Sequence, residues 1–287
     1  MPELGRSKKG IFLCPVLTNE EVARGIFLMR LYAPEIAATA LPGQFVNVKV
    51  SSDQQRGDAH LQLFTGFPLL RRPFSVCQVD RRTGAVSLLW KLVGRGTSLL
   101  ARYQPGAILS VIGPLGHGFE LPDKTGPIAL VAGGVGVASF PLLAMELTSR
   151  NFKFDVLLGA QTADALWGEQ ELSQLGGTVQ LATDDGSLGE KGFVTQLLEK
   201  WLQEHAHSSA HVFACGPMPM LATVAQLCKN AGVKAQVSIE TMMGCGFGIC
   251  MGCPIEPAAG AQETGHYYLA CLDGPVFMAE AIRLARQ

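Results

Sequence analysis

Residues 127–143 read Pro-Ile-Ala-Leu-Val-Ala-Gly-Gly-Val-Gly-Val-Ala-Ser-Phe-Pro-Leu-Leu, inside a stretch from Thr125 to Met145 that carries no charge. A stretch of that length can cross a bilayer. Its internal grammar says otherwise. Pro127–Ala132 is a short apolar run suited to a buried parallel strand, and glycines follow at 133, 134 and 136. An apolar segment with Pro141 near its start then suits a helix, since proline is tolerated in a first helical turn. The stretch therefore predicts strand, turn and helix, and no membrane span. Gly133-Gly134-Val135-Gly136-Val137-Ala138-Ser139 is a degenerate dinucleotide fingerprint. Gly134 and Gly136 match it, and Ser139 replaces the last glycine.

Downstream the alternation continues. Strands are expected at Phe154–Leu158, Val179–Ala182 and Val212–Ala214, with helices at Phe193–Glu204 and Met218–Asn230, and Lys234–Glu240 could close the sheet. That is the pattern of a parallel sheet covered on both faces. Upstream, six short apolar runs are broken by Pro and Gly: Ile11–Leu17, Val22–Leu31, Phe45–Val50, Phe74–Val79, Val86–Val93 and Ile108–Ile112. They predict a Greek-key barrel, with one short helix after Gly96 and a long polar loop over Ser51–Gly66. The expected fold is a β barrel plus α/β. The expected domains are a barrel over 1–122, a Rossmann-like sheet over 123–240 and a small C-terminal unit over 241–287.

The C-terminal unit holds Cys245, Cys250, Cys253 and Cys271. The first three form C-x4-C-x2-C, the spacing of a plant-type [2Fe–2S] cluster, which needs four thiolates. Gly244, Gly246, Gly248 and Gly252 let the backbone wrap closely around such a group. Structural zinc and inert core thiols are the alternatives. A zinc ribbon usually offers two C-x2-C pairs, and here there is one.

Three further motifs carry chemistry. Arg72-Pro73-Phe74-Ser75 offers a guanidinium fork for phosphate, an aromatic face and a hydroxyl. Gly94-Arg95-Gly96-Thr97-Ser98 opens a helix at Leu99–Tyr103, where free N–H groups could receive a pyrophosphate. Cys215-Gly216-Pro217-Met218 ends a strand of the parallel sheet, and ligands bind at such ends. Alone, each also reads as ordinary structure: a barrel strand, a capped helix and a small buried thiol.

A net charge of −1 excludes an electrostatic case for nucleic acid or an anionic membrane as partner. Charged residues at 16% beside 48% hydrophobic ones fit surface buried against a protein partner, and large cores alone account for them equally. The opening MPELGRSKKG lacks an apolar core and reads as a tail, not a signal peptide. With eight cysteines and no secretion signal, the thiols are expected reduced, in the cytoplasm.

Together RPFS, GRGTS, GGVGVAS and ACGPMPML resemble the ferredoxin–NADP reductase superfamily. The tail narrows the resemblance. Glu240 and Met243–Cys253, Cys271–Phe277, Thr183–Ser187 and Lys191–Phe193 resemble the electron-transfer (iron–sulfur flavoprotein) subunits of two-subunit NAD-dependent dihydroorotate dehydrogenases. The resemblance implies FAD on the barrel, held by Arg72, Pro73, Phe74, Ser75, Lys91, Gly96 and Thr97. It implies NAD over Gly133, Gly134 and Gly136 and over Cys215, Gly216, Pro217 and Met218, and a [2Fe–2S] cluster on the four cysteines. It implies an FMN-containing catalytic partner that oxidises dihydroorotate to orotate in pyrimidine biosynthesis, in a heterotetramer of two plus two. Related subunits of a sulfide dehydrogenase, a ferredoxin:NADP transhydrogenase or a hydrogenase are the alternative. Two departures stand out. The loop Ser51–Gly66 is long for the family, and Met242 stands where an arginine is common.

The nicotinamide preference is legible without the family. No lysine or arginine lies between Lys153 and Lys191, while Asp164, Glu169, Glu171, Asp184 and Asp185 are acidic. A carboxylate suits a ribose 2′-hydroxyl and repels a 2′-phosphate. Asp184 is the candidate, and NAD the expected cofactor.

Overall fold

The structure is a computed structural model that describes residues 10–50, 70–123, 125–205, 209–259 and 267–284. The expected loop over Ser51–Gly66 lies outside the described residues.

The N-terminal half forms six antiparallel strands: β1 (Gly10–Ala23), β2 (Ile26–Tyr32), β3 (Phe45–Val48), β4 (Arg72–Asp80), β5 (Ala85–Lys91) and β6 (Ile108–Leu115). They close into a barrel of order β1-β2-β5-β4-β3-β6. Period-two alternation builds it. Ile11 and Leu13 face outward on β1, while Cys14 and Val16 turn inward to Met29, Leu31, Leu88 and Val111. Closure pairs β6 back to β1, Ile11 opposite Ile112, which leaves no free edge in the barrel.

One expected strand is two. The run Val22–Leu31 straddles a hairpin turn at Arg24-Gly25, where Gly25 has φ +70° and its N–H donates to Glu21 Oε1 at 2.8 Å. A single glycine in an apolar run gives little warning of a turn; here the left-handed backbone makes it. The short helix also starts earlier than expected, at Arg95–Leu100, so Gly96 and Thr97 lie in its first turn.

The C-terminal half is built on six parallel strands: β7 (Ile128–Gly133), β8 (Asp155–Ala160), β9 (Thr178–Thr183), β10 (Glu190–Lys191), β11 (His211–Cys215) and β12 (Lys234–Ser238). Two short strands, β13 (Pro254–Ile255) and β14 (Tyr268–Leu269), pair with each other, and β15 (Val276–Met278) adds antiparallel to β12. The main sheet has the order β10-β9-β8-β7-β11-β12-β15. The chain order reverses between β7 and β11. The crevice at such a switch point is where ligands bind in open α/β sheets. The uncharged stretch forms β7, a 3-10 turn over Gly134–Ser139 and the helix Pro141–Ser149. Among the described residues no helix is long and apolar enough to cross a membrane.

The cysteine-bearing segment is stitched into this sheet. β15 pairs with β12 (Val237 opposite Phe277), and Cys253, Ala270 and Cys271 share a core with Val237, Leu221 and Trp201. On the other face Phe140, Leu143 and Phe213 pack in one core with Ile26, Cys77 and Leu89 of the barrel. Barrel and sheet thus meet through apolar side chains, and the crevice forms along that seam.

Candidate functional site

A cavity of about 410 Å³ opens where the barrel meets the sheet, lined by Arg72, Pro73, Phe74 and Ser75 of β4, by Trp90, Lys91 and Thr97, and by Ser139, Cys215 and Glu240. Pairing of β3 with β4, Phe45 opposite Ser75, presents the four-residue motif to this space. Gly96 completes it by its lack of a side chain: a Cβ there would sit 3.0 Å from Arg72 Nε. Thr97 shapes the loop from within. Its Oγ1 accepts from the N–H groups of Val93 (3.0 Å) and Gly94 (3.1 Å), so those donors are already used.

Half-buried Ser75 and buried Ser139 and Cys215 continue the wall across the seam. Ser75 Oγ lies 3.3 Å from Ser139 Oγ, which donates to Cys215 Sγ at 3.4 Å. Burial, with the nearby Glu240 charge, pushes the Cys215 thiol up to about 12, so it stays protonated at neutral pH. Desolvation also raises the pKa of the Glu240 carboxyl, although water reaches it through the cavity.

Sequence reasoning missed Trp90. Its indole is buried, stacks on Phe27 at 4.7 Å and keeps an Nε1–H without an acceptor among the described residues. A buried donor left unpaired is costly unless a ligand satisfies it. With the Arg72 guanidinium and a volume in the range of cofactor sites, this donor set fits an acceptor-rich dinucleotide such as FAD. The only signal for it in the chain is its place before Lys91.

A second cavity of about 400 Å³ lies over the switch point. Gly133, Gly134, Asp184 and Pro217 line it, joined by Gln161, just past the end of β8 where the ribose was expected, by Phe193 and by Met220, which sequence reading did not select as a site residue. The expected glycines divide their work. Gly134 (φ +54°) faces open space, whereas a Cβ on Gly136 would come within 2.3 Å of Cys215 O. Gly216 likewise permits close packing, since a Cβ on it would lie 3.1 Å from Gly133 N. Cys215 belongs to the first cavity, and Met218 lines neither; it faces a shallow hollow with Ile239 and Pro254. Lys91 and Val135 line both cavities, which are therefore adjacent.

Tertiary structure brings cations to the acidic segment: Lys200 pairs with Glu190, and Lys91 lines the same cavity as Asp184. Arg24, from the β1–β2 turn, pairs with Asp164 at 3.2 Å, both exposed. A hydrogen bond from the Thr162 hydroxyl, then the one from Arg24, holds the Asp164 carboxyl below its usual range. The pair cancels its own charge, so the region keeps no free cation from Arg24.

The four cysteines come together as two pairs. Cys253 Sγ and Cys271 Sγ are 3.3 Å apart, and Cys245 and Cys250 exchange backbone N–H to sulfur contacts at 3.4 Å. Phe247 N–H also points at Cys245 Sγ, and Gly248 N–H at Cys271 Sγ, at 3.4 and 3.2 Å. Burial opposes ionisation of Cys245, but these N–H groups outweigh it and hold the thiol down at about 6. Gly246 and Gly248 have φ of +84° and +91°, the left-handed backbone that turns the N–H groups inward. Among the described residues no three His, Cys, Asp or Glu converge on one ion. Two pairs of thiols fit a two-iron group better than a single tetrahedral zinc.

Residues 240–283 match the family described as the iron–sulfur cluster binding domain of dihydroorotate dehydrogenase B, and residues 130–226 match the oxidoreductase NAD-binding domain. The chain is 36% identical over 267 residues to the electron transfer subunit of dihydroorotate dehydrogenase B (NAD(+)) of Desulforamulus reducens, covering 93% of this chain and 96% of that protein. It is 40% identical to the corresponding subunit of Geobacillus kaustophilus, covering 94% and 97%. Among solved structures, a chain of an NADH-dependent reduced ferredoxin–NADP oxidoreductase superposes with a TM-score of 0.79 at 28% identity, covering 96% of this chain and 91% of that one. The cytochrome b5 reductase domain of Ulva prolifera nitrate reductase, at 18% identity and a TM-score of 0.61, covers 81% and 96% and shares the fold.

Proposed function

This chain belongs to the family of dihydroorotate dehydrogenase B (NAD(+)) electron transfer subunits, and we infer from that premise that it carries electrons from a catalytic partner to NAD+. It is an oxidoreductase component that uses a [2Fe–2S] cluster, FAD and NAD. The bound cluster supplies one-electron transfer, and the bound flavin joins single electrons into the hydride that nicotinamide accepts.

One observation carries the reading: the three sites are contiguous in that order. Met243, two residues before Cys245, lines the first cavity, and Lys91 and Val135 join the first cavity to the second. The side chains have distinct tasks. Arg72 donates to the phosphate region of the dinucleotide in the first cavity. The Ser75–Ser139–Cys215 string fixes one wall of the first cavity, with the thiol protonated. Asp184 accepts from a ribose hydroxyl in the second cavity, and the Cys245–Cys250 and Cys253–Cys271 pairs each hold one iron.

The partner reading draws on the surface. Met242, Ile249 and Met251 are 88%, 77% and 64% exposed around the cluster loop, with Phe247 and Leu272 beside them. Apolar side chains gathered at an electron-transfer site favour a docked protein over water. The proposed partner is an FMN-containing catalytic subunit, two copies with two of this chain, that oxidises dihydroorotate to orotate. All eight cysteines are free, which suits a reducing compartment, and the cytoplasm is the proposed one.

Co-purification and enzymology test this. The isolated, cofactor-loaded chain should reduce ferricyanide with NADH and leave dihydroorotate untouched; with its partner it should reduce NAD+ with dihydroorotate. Oxidation of dihydroorotate by the chain alone, or a stable partner of another chemistry such as a ferredoxin-linked subunit, would overturn the assignment.

A further inference from the structure

We propose that Asn47 is a positioning residue that latches the cluster loop to the flavin barrel and so governs electron exchange between them. The proposal rests on the function inferred above. Asn47 lies on β3, opposite Pro73 of the Arg72–Ser75 motif on one side and Ile112 of β6 on the other. It is fully buried, at 0% exposure. Its Nδ2 donates to the main-chain oxygen of Cys245 at 2.7 Å, across 198 residues of sequence.

The contact is as close as backbone allows. Gly246, next to that cysteine, has φ +84°, and a Cβ on it would sit 2.6 Å from Asn47 Nδ2. The barrel side is braced as well. Arg71 Nη1 donates to Asn47 O at 3.2 Å and to Ser110 O at 2.8 Å, which ties β3 to β6. The latch therefore runs from a cluster ligand, through one amide, into the strand pair that presents the flavin motif.

The amide is held against its own interest. Asn47 Oδ1 is buried with no donor among the described residues. Flipping the amide would place Oδ1 against the Cys245 oxygen, two acceptors face to face, so the bond to the loop sets the orientation. An unpaired buried acceptor is destabilising, and a leucine would fill similar space without one. A side chain present only for packing would not carry that penalty. Partners of ligand residues orient a metal group and tune it, and this is the only side-chain donor from the barrel to a cysteine-ligand carbonyl among the described residues.

The test uses the full chain loaded with iron and FAD. Asn47→Leu removes the donor; Gly246→Ala leaves Asn47 in place but pushes the loop off it. Iron and flavin content, the electron paramagnetic resonance of the reduced cluster, and the stopped-flow rate of cluster reduction by NADH through FAD are measured. With cofactors at wild-type level, both variants should slow cluster reduction by about tenfold or more and change the resonance. Combined, they should cost no more than the larger single change, because both break one contact. Wild-type rates and spectra in either cofactor-replete variant would overturn the proposal. So would loss of iron from both with FAD retained, since the contact would then hold the cluster and not place it. A wild-type chain whose cluster NADH never reduces would instead count against the function inferred above.

Discussion

Two glycines of the turn after β7 should respond to alanine in opposite ways. At Gly136 the new methyl would meet Cys215 O at 2.3 Å, Cys215 C at 2.5 Å and Gly216 N at 2.8 Å. All three are backbone atoms, so no side chain can swing aside. Relief to 3.0 Å moves the turn or the end of β11 by about 0.7 Å. Overpacking of this kind costs about 1–3 kcal/mol, or about 2–4 °C of Tm per kcal/mol in a chain of this size. The displaced residue, Cys215, lines the first cavity, proposed above for FAD, and misplacement by about 1 Å can slow a reaction about a hundredfold. Gly136→Ala should therefore lower Tm, loosen FAD and cut NADH-dependent ferricyanide reduction at least about tenfold. At Gly134 the methyl meets nothing within 4 Å, and only its φ of +54° is penalised, by about 1–2 kcal/mol. That methyl enters the second cavity, so Gly134→Ala should retain FAD and raise KM for NADH. The assays are thermal unfolding by circular dichroism, flavin content after gel filtration, and steady-state kinetics. A Gly136→Ala chain with wild-type FAD retention and kcat would refute the reasoning, as would loss of flavin confined to Gly134→Ala.

Serine at Cys245, Cys250, Cys253 or Cys271 should each reduce iron and acid-labile sulfide well below two per chain, whereas alanine at Cys14, Cys77 or Cys228, which are buried elsewhere, should leave the iron in place. NADH should exceed NADPH by about tenfold or more in kcat/KM, roughly 1.4 kcal/mol. Asp164→Asn, which frees Arg24 from its carboxylate, should narrow that ratio; an unchanged ratio would show that Arg24 lies out of reach of the 2′ position. Glu240 carries a pH signature. Its folded-state pKa is raised by desolvation, so above the ordinary carboxylate range the native state binds more protons than the unfolded one, and stability falls as pH rises through that window. Glu240→Gln should flatten this part of the stability–pH curve, and an identical slope in the variant would contradict the assignment.

Much of the architecture was legible in the chain because it rests on local signals. Alternating apolar residues announced the barrel strands, and the uncharged strand–glycine–helix run announced the parallel sheet. The spacing of three cysteines with a fourth downstream named the cluster, since thiolate ligands must be present whatever the fold. The hairpin at Arg24-Gly25 was hidden, because one glycine in an apolar run does not distinguish a bulge from a turn. What no local pattern could carry were contacts between distant segments. β15 closing on β12, Cys215 facing the first cavity while Met218 faces another hollow, Arg24 meeting Asp164 and a Trp90 indole with no acceptor among the described residues all depend on how the barrel seats against the sheet. Asn47 shows the limit most plainly. By sequence it is one polar residue in an apolar strand, and only closure of the barrel against a loop 198 residues away makes its amide the partner of Cys245. Residue type and spacing are local properties of the chain, whereas the distance between two side chains so far apart is set by the packing of everything between them.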